Sequence, residues 1–333
     1  MTNRKKYLYC YLILLIGLIL TVGAAFRLGS VPLSIAQLLE GLAGRDATAS
    51  IILKGIRLPR ILAAGLAGMA LACAGTILQC VTGNDLCAPN IIGINSGAGF
   101  AVILLLCAAP SMWRLLPAAA FVGALCATGF VMGFAFYGGN RSAGTTIVLA
   151  GVAVSSILSA GISFLSLRFP DVLTSYTAFS VGGFAGISPD ELTVPAIFIL
   201  LSLVITQFIT PGLNTLCLGD EIAASLGVRV KALRILALVL ASALCASAVS
   251  FAGLLGFVGL IVPHIVRRIC GNDIRFNLSL SALFGSILVI LSDTIGRTAF
   301  APSELPAGII MSLLGAPFFL YLLIRQKCRA CIQ

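Results

Sequence analysis

Residues 256–268 read Gly-Phe-Val-Gly-Leu-Ile-Val-Pro-His-Ile-Val-Arg-Arg, and this stretch decides how the whole chain is interpreted. It is apolar enough to lie in lipid, yet it contains two glycines, a proline, the single histidine of the chain and two arginines. Lipid has no water to satisfy broken backbone, so such a run is stable only where protein buries it or where it lines a cavity. The closing arginine pair is typical of the cytoplasmic end of a span. The stretch predicts an interrupted helix in a membrane bundle, with the break at Pro263.

Composition places the rest of the chain in the same environment. Of its 333 residues 59% are hydrophobic and 10% are charged, and the mean hydropathy is +1.12. Soluble domains carry roughly 25% charged residues, so we predict an all-α polytopic membrane protein in which residues 1–333 form a single transmembrane domain. The net charge of +10 fits Lys and Arg on cytoplasmic loops, and no nucleic-acid partner is expected.

Runs of roughly 20 apolar residues, the length that crosses the hydrocarbon core, predict about ten transmembrane helices. The first run, after Arg4–Lys6, is interpreted as a retained span and not as a cleaved signal peptide. An even number of spans returns the C-terminus to the side of the N-terminus, and the basic residues favour the cytoplasm for both termini. The predicted spans are Leu8–Leu28, Ile61–Thr82, Ile91–Ala109, Leu115–Tyr137, Thr145–Leu167, Leu192–Thr210, Ala232–Phe251, Leu254–Val266, Leu278–Gly296 and Leu305–Ile324.

Glycines recur at helical spacing, as at Gly65 and Gly68. Small residues let membrane helices approach closely, so most of these glycines are expected to serve packing. Two glycine- and proline-interrupted segments, Asn84–Gly93 and Gly253–Pro263, occupy matching places in the two halves of the chain. Such a pair suggests inverted repeats around a central pathway.

No catalytic motif is present. The sequence lacks the Gly-x-x-x-x-Gly-Lys-Ser/Thr run of a P-loop, and it lacks HExxH and GxSxG motifs. Most of the 11 cysteines lie in apolar runs and are interpreted as small buried residues. The pair Cys328 and Cys331 is too little for a zinc site. We therefore expect no cofactor, no metal site and no enzyme activity on this chain.

If the protein moves a substrate uphill, the energy must come from a partner or from an ion gradient. Ion-coupled carriers place ionisable groups within their spans, whereas Asp85, Asp293 and Glu304 lie at predicted span ends. This favours an ATP-driven system, with an ion-coupled secondary transporter as the alternative. A membrane-embedded enzyme is a third possibility, but His264, Asp85 and Asp293 form no convergent acid–base pair. We expect His264 to satisfy neighbouring backbone or polar groups.

Residues 218–228 lie on the predicted cytoplasmic side between two spans. Asp220 suits the N-cap of a short helix, Glu221 suits its first turn and Gly227 suits the position after its C-cap. The helix packs on its own bundle or docks a cytoplasmic partner through an apolar stripe formed by Ile222, Ala223 and Leu226.

Two arginines stand at the predicted outer start of the second span, in the run Arg57–Arg60. Pro59 suits the first turn of a helix, but a positive charge there opposes the helix dipole. The arginines therefore anchor lipid headgroups or bind another molecule. Arg297, close after Asp293 at the outer end of the ninth span, is a similar position.

Several of these runs resemble one family, the permease subunits of bacterial ABC importers for iron–siderophore complexes, haem and cobalamin. Residues 256–268 are similar to its GFxGLxxPHxxR signature, residues 218–227 to its LGxxxAxxLG coupling segment and residues 57–60 to its RxPR run. Its NPLAxP loop is matched only in part, because Asp85 replaces the first proline and Cys87 replaces an alanine. The structural signature is carried by Gly256, Gly259, Pro263, His264, Arg267, Glu304, Pro306, Gly308, Gly315 and Pro317.

The resemblance implies the type II ABC importer permease fold in the bacterial cytoplasmic (inner) membrane. It implies three kinds of protein partner: a second permease subunit, identical or a paralogue; two cytoplasmic ABC ATPase subunits; and an extracytoplasmic substrate-binding protein. The implied cargo is a bulky metal chelate, most commonly an iron–siderophore complex, with haem and cobalamin open. The implied binding-protein docking residues are Arg57, Arg60 and Arg297; the ATPase-coupling residues are Gly219, Asp220, Ala223, Leu226 and Gly227; and the gate residues are Asn84, Leu86, Thr145 and Thr146.

Overall fold

The computed structural model describes residues 3–29, 34–136, 143–299, 301 and 303–330, and in these ranges the chain is helical without a strand. Short 3-10 helices cover Pro110–Leu115 and Pro170–Val172, and a π-helix covers Ile51–Arg57. The α-helices are α1 (Asn3–Arg27), α2 (Ile35–Leu42), α3 (Ala47–Ser50), α4 (Leu58–Thr82), α5 (Ile94–Ala108), α6 (Leu116–Phe136), α7 (Ala143–Arg168), α8 (Leu173–Val181), α9 (Pro189–Leu216), α10 (Asp220–Ser225), α11 (Val230–Ala252), α12 (Val258–Cys270), α13 (Ile274–Thr298) and α14 (Ala307–Ala330).

Eight helical segments of the described chain are long and apolar enough to cross a membrane, and each coincides with a predicted span. The other two predicted spans, Ile91–Ala109 and Leu254–Val266, correspond to α5 and α12, which have 15 and 13 residues. Both are shorter than the roughly 20 residues that cross the hydrocarbon core. The prediction of about ten helices is met only when these two short helices are counted. The side of the membrane that holds the termini stays a prediction.

Helix α4 lies at the centre of the bundle, where it packs against α9, α11, α12 and α13. Its crossing with α13 is made by glycine. A Cβ added to Gly68 would lie 2.2 Å from the carbonyl oxygen of Gly285. Membrane helices associate largely through close packing at small residues, and the predicted packing role of the glycines is confirmed at this crossing.

The crossing of α4 with α12 is equally close. A Cβ at Gly75 would lie 2.0 Å from the carbonyl oxygen of Gly259, a backbone atom that cannot rotate away. We expect Gly75→Ala to force the helices apart and to lower the free energy of unfolding by about 3 kcal/mol. The matched control is Gly129→Ala, because nothing lies within 4 Å of a Cβ there. Thermal unfolding in detergent should show a lower midpoint for Gly75→Ala alone; equal midpoints would contradict the packing.

The start of α4 differs from the prediction. Arg57 and Arg60 do not stand at a helix N-terminus, because the helical chain is continuous from Ala47 to Thr82. Pro59 has no N–H and its ring needs room near the preceding turn. The π-helix immediately before α4 provides a wider turn there, with Leu58 N–H bonded to the Leu53 carbonyl. The argument from an unfavourable helix dipole therefore does not apply to these arginines.

The helix break lies within the predicted interrupted segment Gly253–Pro263, but not at Pro263. Pro263 is inside α12, and the interruption comes earlier, between α11 and α12. Gly253 and Phe257 bound this interruption with φ of 71° and 65°, the left-handed region that side chains other than glycine rarely adopt. Gly315 makes room for Phe257, because a Cβ at that position would lie 2.2 Å from its ring.

Candidate functional site

A buried charge cluster joins α4, α13 and the segment before α14. The Nε of Arg60 lies 3.1 and 3.0 Å from the two carboxylate oxygens of Asp293, and its Nη2 lies 2.9 Å from Oδ1. The Nη1 of Arg60 donates to Glu304 Oε2 at 2.7 Å. Arg297, one turn after Asp293, places its Nε 3.2 Å from the same carboxylate as an ion pair. Asp293 therefore holds two guanidinium groups at once.

Arg297 of the cluster and the nearby Arg57 also reach the end of α1. Arg57 donates from Nη1 to the carbonyl oxygens of Phe26 and Arg27. Arg297 donates from Nη2 to the carbonyl oxygen of Ala25 at 3.4 Å. These contacts give the exposed carbonyls of a helix C-terminus positively charged donors, a favourable arrangement for the helix dipole. The cluster thus ties α1 to the core formed by α4 and α13.

The prediction that the three arginines are exposed for docking is wrong for this conformation. Arg57, Arg60 and Arg297 are only 3%, 7% and 3% exposed, so their guanidinium groups are not displayed to a partner. Buried charges are tolerated when they are paired and hydrogen-bonded, which Asp293 and Glu304 provide here. Docking of a binding protein at the three arginines stays a prediction.

A second charged group lies at the opposite end of α4. Arg267 of α12 donates to Asp85 in the loop after α4 and to the side-chain oxygen of Gln79. Gln79 Nε2 in turn donates to the carbonyl oxygen of Gly259 at 3.3 Å. Asp85, which stands where the resembling family has proline, is thus neutralised by the arginine of the signature stretch. Sequence reasoning missed Gln79, because it stands as a single polar residue in an apolar helix.

A cavity of about 510 Å³ opens beside this charged group. It brings together the end of α4, the start of α7 and the segments around α10 and α12. Of the predicted gate residues, Thr145 lines it, and so does Asp85, which lies between the predicted gate residues Asn84 and Leu86. The lining residues are Thr76, Gln79, Cys80, Thr82, Gly83, Asp85, Gly144, Thr145, Leu216, Cys217, Gly219, Asp220, Arg234, Arg267, Asn272, Ile274 and Asn277.

Asn84, Leu86 and Thr146 are not among the residues that line this cavity. The side-chain oxygen of Asn84 accepts the N–H of Leu86 at 2.9 Å, which closes a turn typical of asparagine. Leu86 packs against the buried cluster of Ala88, Leu260 and Leu322. These contacts show a structural role in the loop, and the gate role of the three residues stays a prediction.

Helix α10 forms where the sequence predicted it, with different capping. Its N-cap is Gly219, with a φ of 112°, and Asp220 is the first helical residue. Asp220 bonds Arg234 of α11 through two contacts of 2.8 and 3.0 Å. Gly227 has a φ of 83° after the C-cap Leu226, as predicted. The pair with Arg234, which sequence reasoning missed, explains why the carboxylate is not a cap.

The predicted apolar stripe of α10 divides between two faces. Ala223 is fully buried against the bundle. Leu218, Ile222 and Leu226 are 61%, 50% and 63% exposed. Ile222 and Leu226 are four residues apart and lie on one side of the helix, and Leu218 is exposed just before the N-cap Gly219. We call these three side chains the α10 apolar face. The helix therefore packs on its own bundle through Ala223 and still presents an uncovered apolar surface.

The remaining signature residues lie at contacts between elements. A Cβ at Gly308 would lie 1.8 Å from the carbonyl oxygen of Val181. The ring of His264 meets Phe318 edge-on at a centroid distance of 6.0 Å. Gly256, Pro306 and Pro317 belong to the same two runs of sequence. Gly308 and His264 therefore serve the packing between elements in this structure.

Cysteines and acids form no metal centre among the described residues, where no group of three or more His, Cys, Asp or Glu converges. The absence of a metal or cofactor on the chain stays a prediction. Of the terminal CxxC, Cys331 lies outside the described residues. One thiol contact is close: the Sγ atoms of Cys80 and Cys217 lie 2.8 Å apart at the cavity.

Comparison with known proteins identifies the family of the chain. A model of the FecCD transport family matches residues 13–325. The chain belongs to the FecCD transport family. Similar FecCD proteins include the Fe(3+)-citrate import system permease protein YfmE of Bacillus subtilis (strain 168), 35% identical over 96% of both chains. The hemin transport system permease protein HmuU of Yersinia pestis is 36% identical over 95% of both.

The other comparisons agree with the FecCD assignment. The cobalamin import system permease protein BtuC of Halobacterium salinarum is 37% identical and covers 86% of this chain and 77% of its own. A solved inward-facing ABC transporter assigned to the metal-chelate type has a TM-score of 0.84 and 29% identity, covering 94% of this chain and 97% of its own. The resemblance in the sequence is confirmed. The FecCD chain is an inner-membrane permease subunit of an ABC importer and not an enzyme, and a separate subunit hydrolyses the ATP.

Proposed function

We propose that this FecCD permease passes a bulky metal chelate, first of all an iron–siderophore complex, from an external binding protein to the cytoplasm. The observation that carries the proposal is the α10 apolar face beside the polar cavity. An uncovered apolar surface next to a polar opening suits a docking site for the subunit that supplies energy. The relatives named for ferric citrate, hemin and cobalamin support the chelate class of cargo.

The complete importer is proposed to contain two permease subunits, two ATPases and one binding protein, with the pathway between the permeases. Helix α7 supports this arrangement. Its exposed residues include the large apolar side chains of Leu149, Ile157 and Phe164 together with the hydroxyl groups of Ser156 and Ser163. A second permease subunit covering α7 would bury the apolar part and leave small hydroxylated positions along a shared pathway.

The binding protein is proposed to dock at the end of the bundle that holds the buried charge cluster, outside the membrane. Arg57, Arg60 and Arg297 would have to exchange their internal partners for acidic groups of that protein. Glu304 is the partner best placed for such an exchange, because its side chain is 30% exposed while that of Asp293 is 2% exposed. Charged contacts at such a face mainly set the association rate and orientation.

The test is uptake into proteoliposomes that contain this permease with its ATPase and binding protein. We expect ATP-dependent accumulation of at least one ferric chelate when ferric citrate, a ferric hydroxamate, haem and cobalamin are compared at equal concentration. The matched control omits the binding protein, which delivers the cargo. Accumulation of none of these chelates by an assembled, ATP-hydrolysing complex would overturn the proposed cargo class.

A further inference from the structure

Two thiols from distant parts of the chain meet at the cavity. Cys80 lies in the last turn of α4, and Cys217 follows the end of α9. Their Sγ atoms are 2.8 Å apart, and a disulfide of about 2.05 Å needs less than 1 Å of further approach. Cys80 is buried and its thiol also contacts the carbonyl oxygen of Leu213 at 3.3 Å. Packing within the protein therefore holds the two thiols close together.

The surroundings make one of the two thiols reactive. Cys217 is exposed and lies beyond the predicted span. The hydrogen bond with the Cys80 thiol lowers the pKa of Cys217, and the positive charge of Arg267 lowers it further, whereas the partial burial of the sulfur beside Cys80 and the charge of Asp85 act in the opposite direction. A thiolate is the nucleophilic form of cysteine, and reactive cysteines sit in partly exposed, electropositive places. Cys217 has these properties, and Cys80 lies within reach as the second thiol.

We propose that Cys80 and Cys217 form a reversible thiol–disulfide pair that responds to peroxide. Cytosolic disulfides are usually transient and often redox-sensing, and the cavity faces the cytoplasm in the topology proposed above. Formation of the disulfide does not depend on which side of the membrane the cavity faces, because the fold sets the distance between the two Sγ atoms and the exposure of Cys217.

The reaction balances with hydrogen peroxide as the oxidant. The Cys217 thiolate attacks one peroxide oxygen; an S–O bond forms, the O–O bond breaks, and the leaving hydroxide takes a proton to become water. The Cys80 sulfur then attacks the Cys217 sulfenic acid; the S–S bond forms, the S–O bond breaks, and the hydroxide leaves as water with the Cys80 proton. Two thiols lose two electrons to the peroxide, and a small thiol reverses the link by exchange.

The link would act on α10. Cys217 lies two residues before Gly219, the N-cap of that helix, so a bond to Cys80 would fix this short connection to the core helix α4. This consequence rests on the proposed function, in which the α10 apolar face docks the ATPase. Oxidation would then hold α10 in one position and slow ATP-driven transport.

The direct test reads the bond itself. The purified permease is treated with hydrogen peroxide, its remaining thiols are blocked under denaturing conditions, and it is digested without reduction for mass spectrometry. We expect a linked peptide pair containing Cys80 and Cys217, lighter by two hydrogen atoms, that dithiothreitol separates. Cys217→Ser should lose the link and Cys126→Ser, which changes another exposed cysteine, should keep it. Linkage to other cysteines, or Cys217 oxidised without Cys80, would overturn the pair.

A second readout separates this inference from the proposed function. In the assembled complex, peroxide should reduce ATP turnover, dithiothreitol should restore it, and the Cys217→Ser complex should keep its turnover throughout. A complete link with unchanged turnover would overturn the effect on α10. A reduced complex without any ATP turnover would instead contradict the proposed function, while the peptide measurement still decides whether the pair exists.

Discussion

Asp293→Ala should be among the most destabilising single substitutions in this protein, with a loss of about 3–5 kcal/mol. The carboxylate accepts three hydrogen-bond contacts from Arg60 and pairs with Arg297, and all three side chains are nearly inaccessible. Its removal leaves two buried guanidinium groups without the carboxylate that pairs with both of them, while Glu304 still bonds Arg60. Uncompensated buried charge costs more than the pair contributes, because neither arginine can regain water without opening the contact of α4 with α13.

The measurement is the thermal midpoint in detergent, read as the monodisperse fraction that remains after heating. Asp171→Ala removes an exposed acid and should leave the midpoint unchanged. Removing Arg60 as well, in Arg60→Met with Asp293→Ala, should recover part of the loss because one orphaned charge disappears. A midpoint of Asp293→Ala equal to that of Asp171→Ala would show that the cluster does not hold the helices together.

Ile222→Asp with Leu226→Asp should release the ATPase subunit while the permease stays folded. Each apolar side chain contributes roughly 1.5–3 kcal/mol when it becomes buried, and about 1.4 kcal/mol is a factor of ten in affinity. The double change therefore lowers the affinity by about 100-fold or more, and two added carboxylates must also be desolvated. Co-purification of the permease with its ATPase on a size-exclusion column measures this loss.

The control for this prediction is Leu226→Met, which keeps an apolar side chain and should retain the ATPase. Ala223 is unsuitable as a test position, because it is fully buried and an aspartate there would disturb the packing of α10 itself. A double variant that elutes with a full complement of ATPase would mean that the α10 apolar face is not the docking surface.

Much of the fold follows from the sequence because apolar length and signature runs are local properties. Eight spans have the length that lipid requires, and residues 256–268 predicted an interruption near α12. The location of the break was wrong because α12 begins five residues before Pro263 and continues through it. The proline cannot donate to the Gly259 carbonyl, and Gln79 donates to that carbonyl instead. Local spacing does not distinguish a helix that stops at a proline from one that has just begun.

The candidate site depends on contacts that no local pattern encodes. Arg60 and Asp293 are 233 positions apart, and only the packing of α4 on α13 brings them together. The sequence therefore predicted surface arginines where the structure has a buried cluster. The sequence also showed that Asp85 departs from the proline of the family's loop, but only the fold shows that it pairs with Arg267. The division of the α10 stripe likewise depends on the packing of α10 against α9 and α11.

The central claim is that this FecCD permease moves its cargo with energy from a partner ATPase. The most direct measurement is the initial rate of ferric-chelate uptake into the reconstituted proteoliposomes under two conditions. The first condition has ATP and no ion gradient; the second has a proton or sodium gradient and no ATP. We predict uptake in the first condition only, and its loss when ATP is replaced by a non-hydrolysable analogue. Uptake driven by the gradient without ATP would contradict the account and favour an ion-coupled carrier.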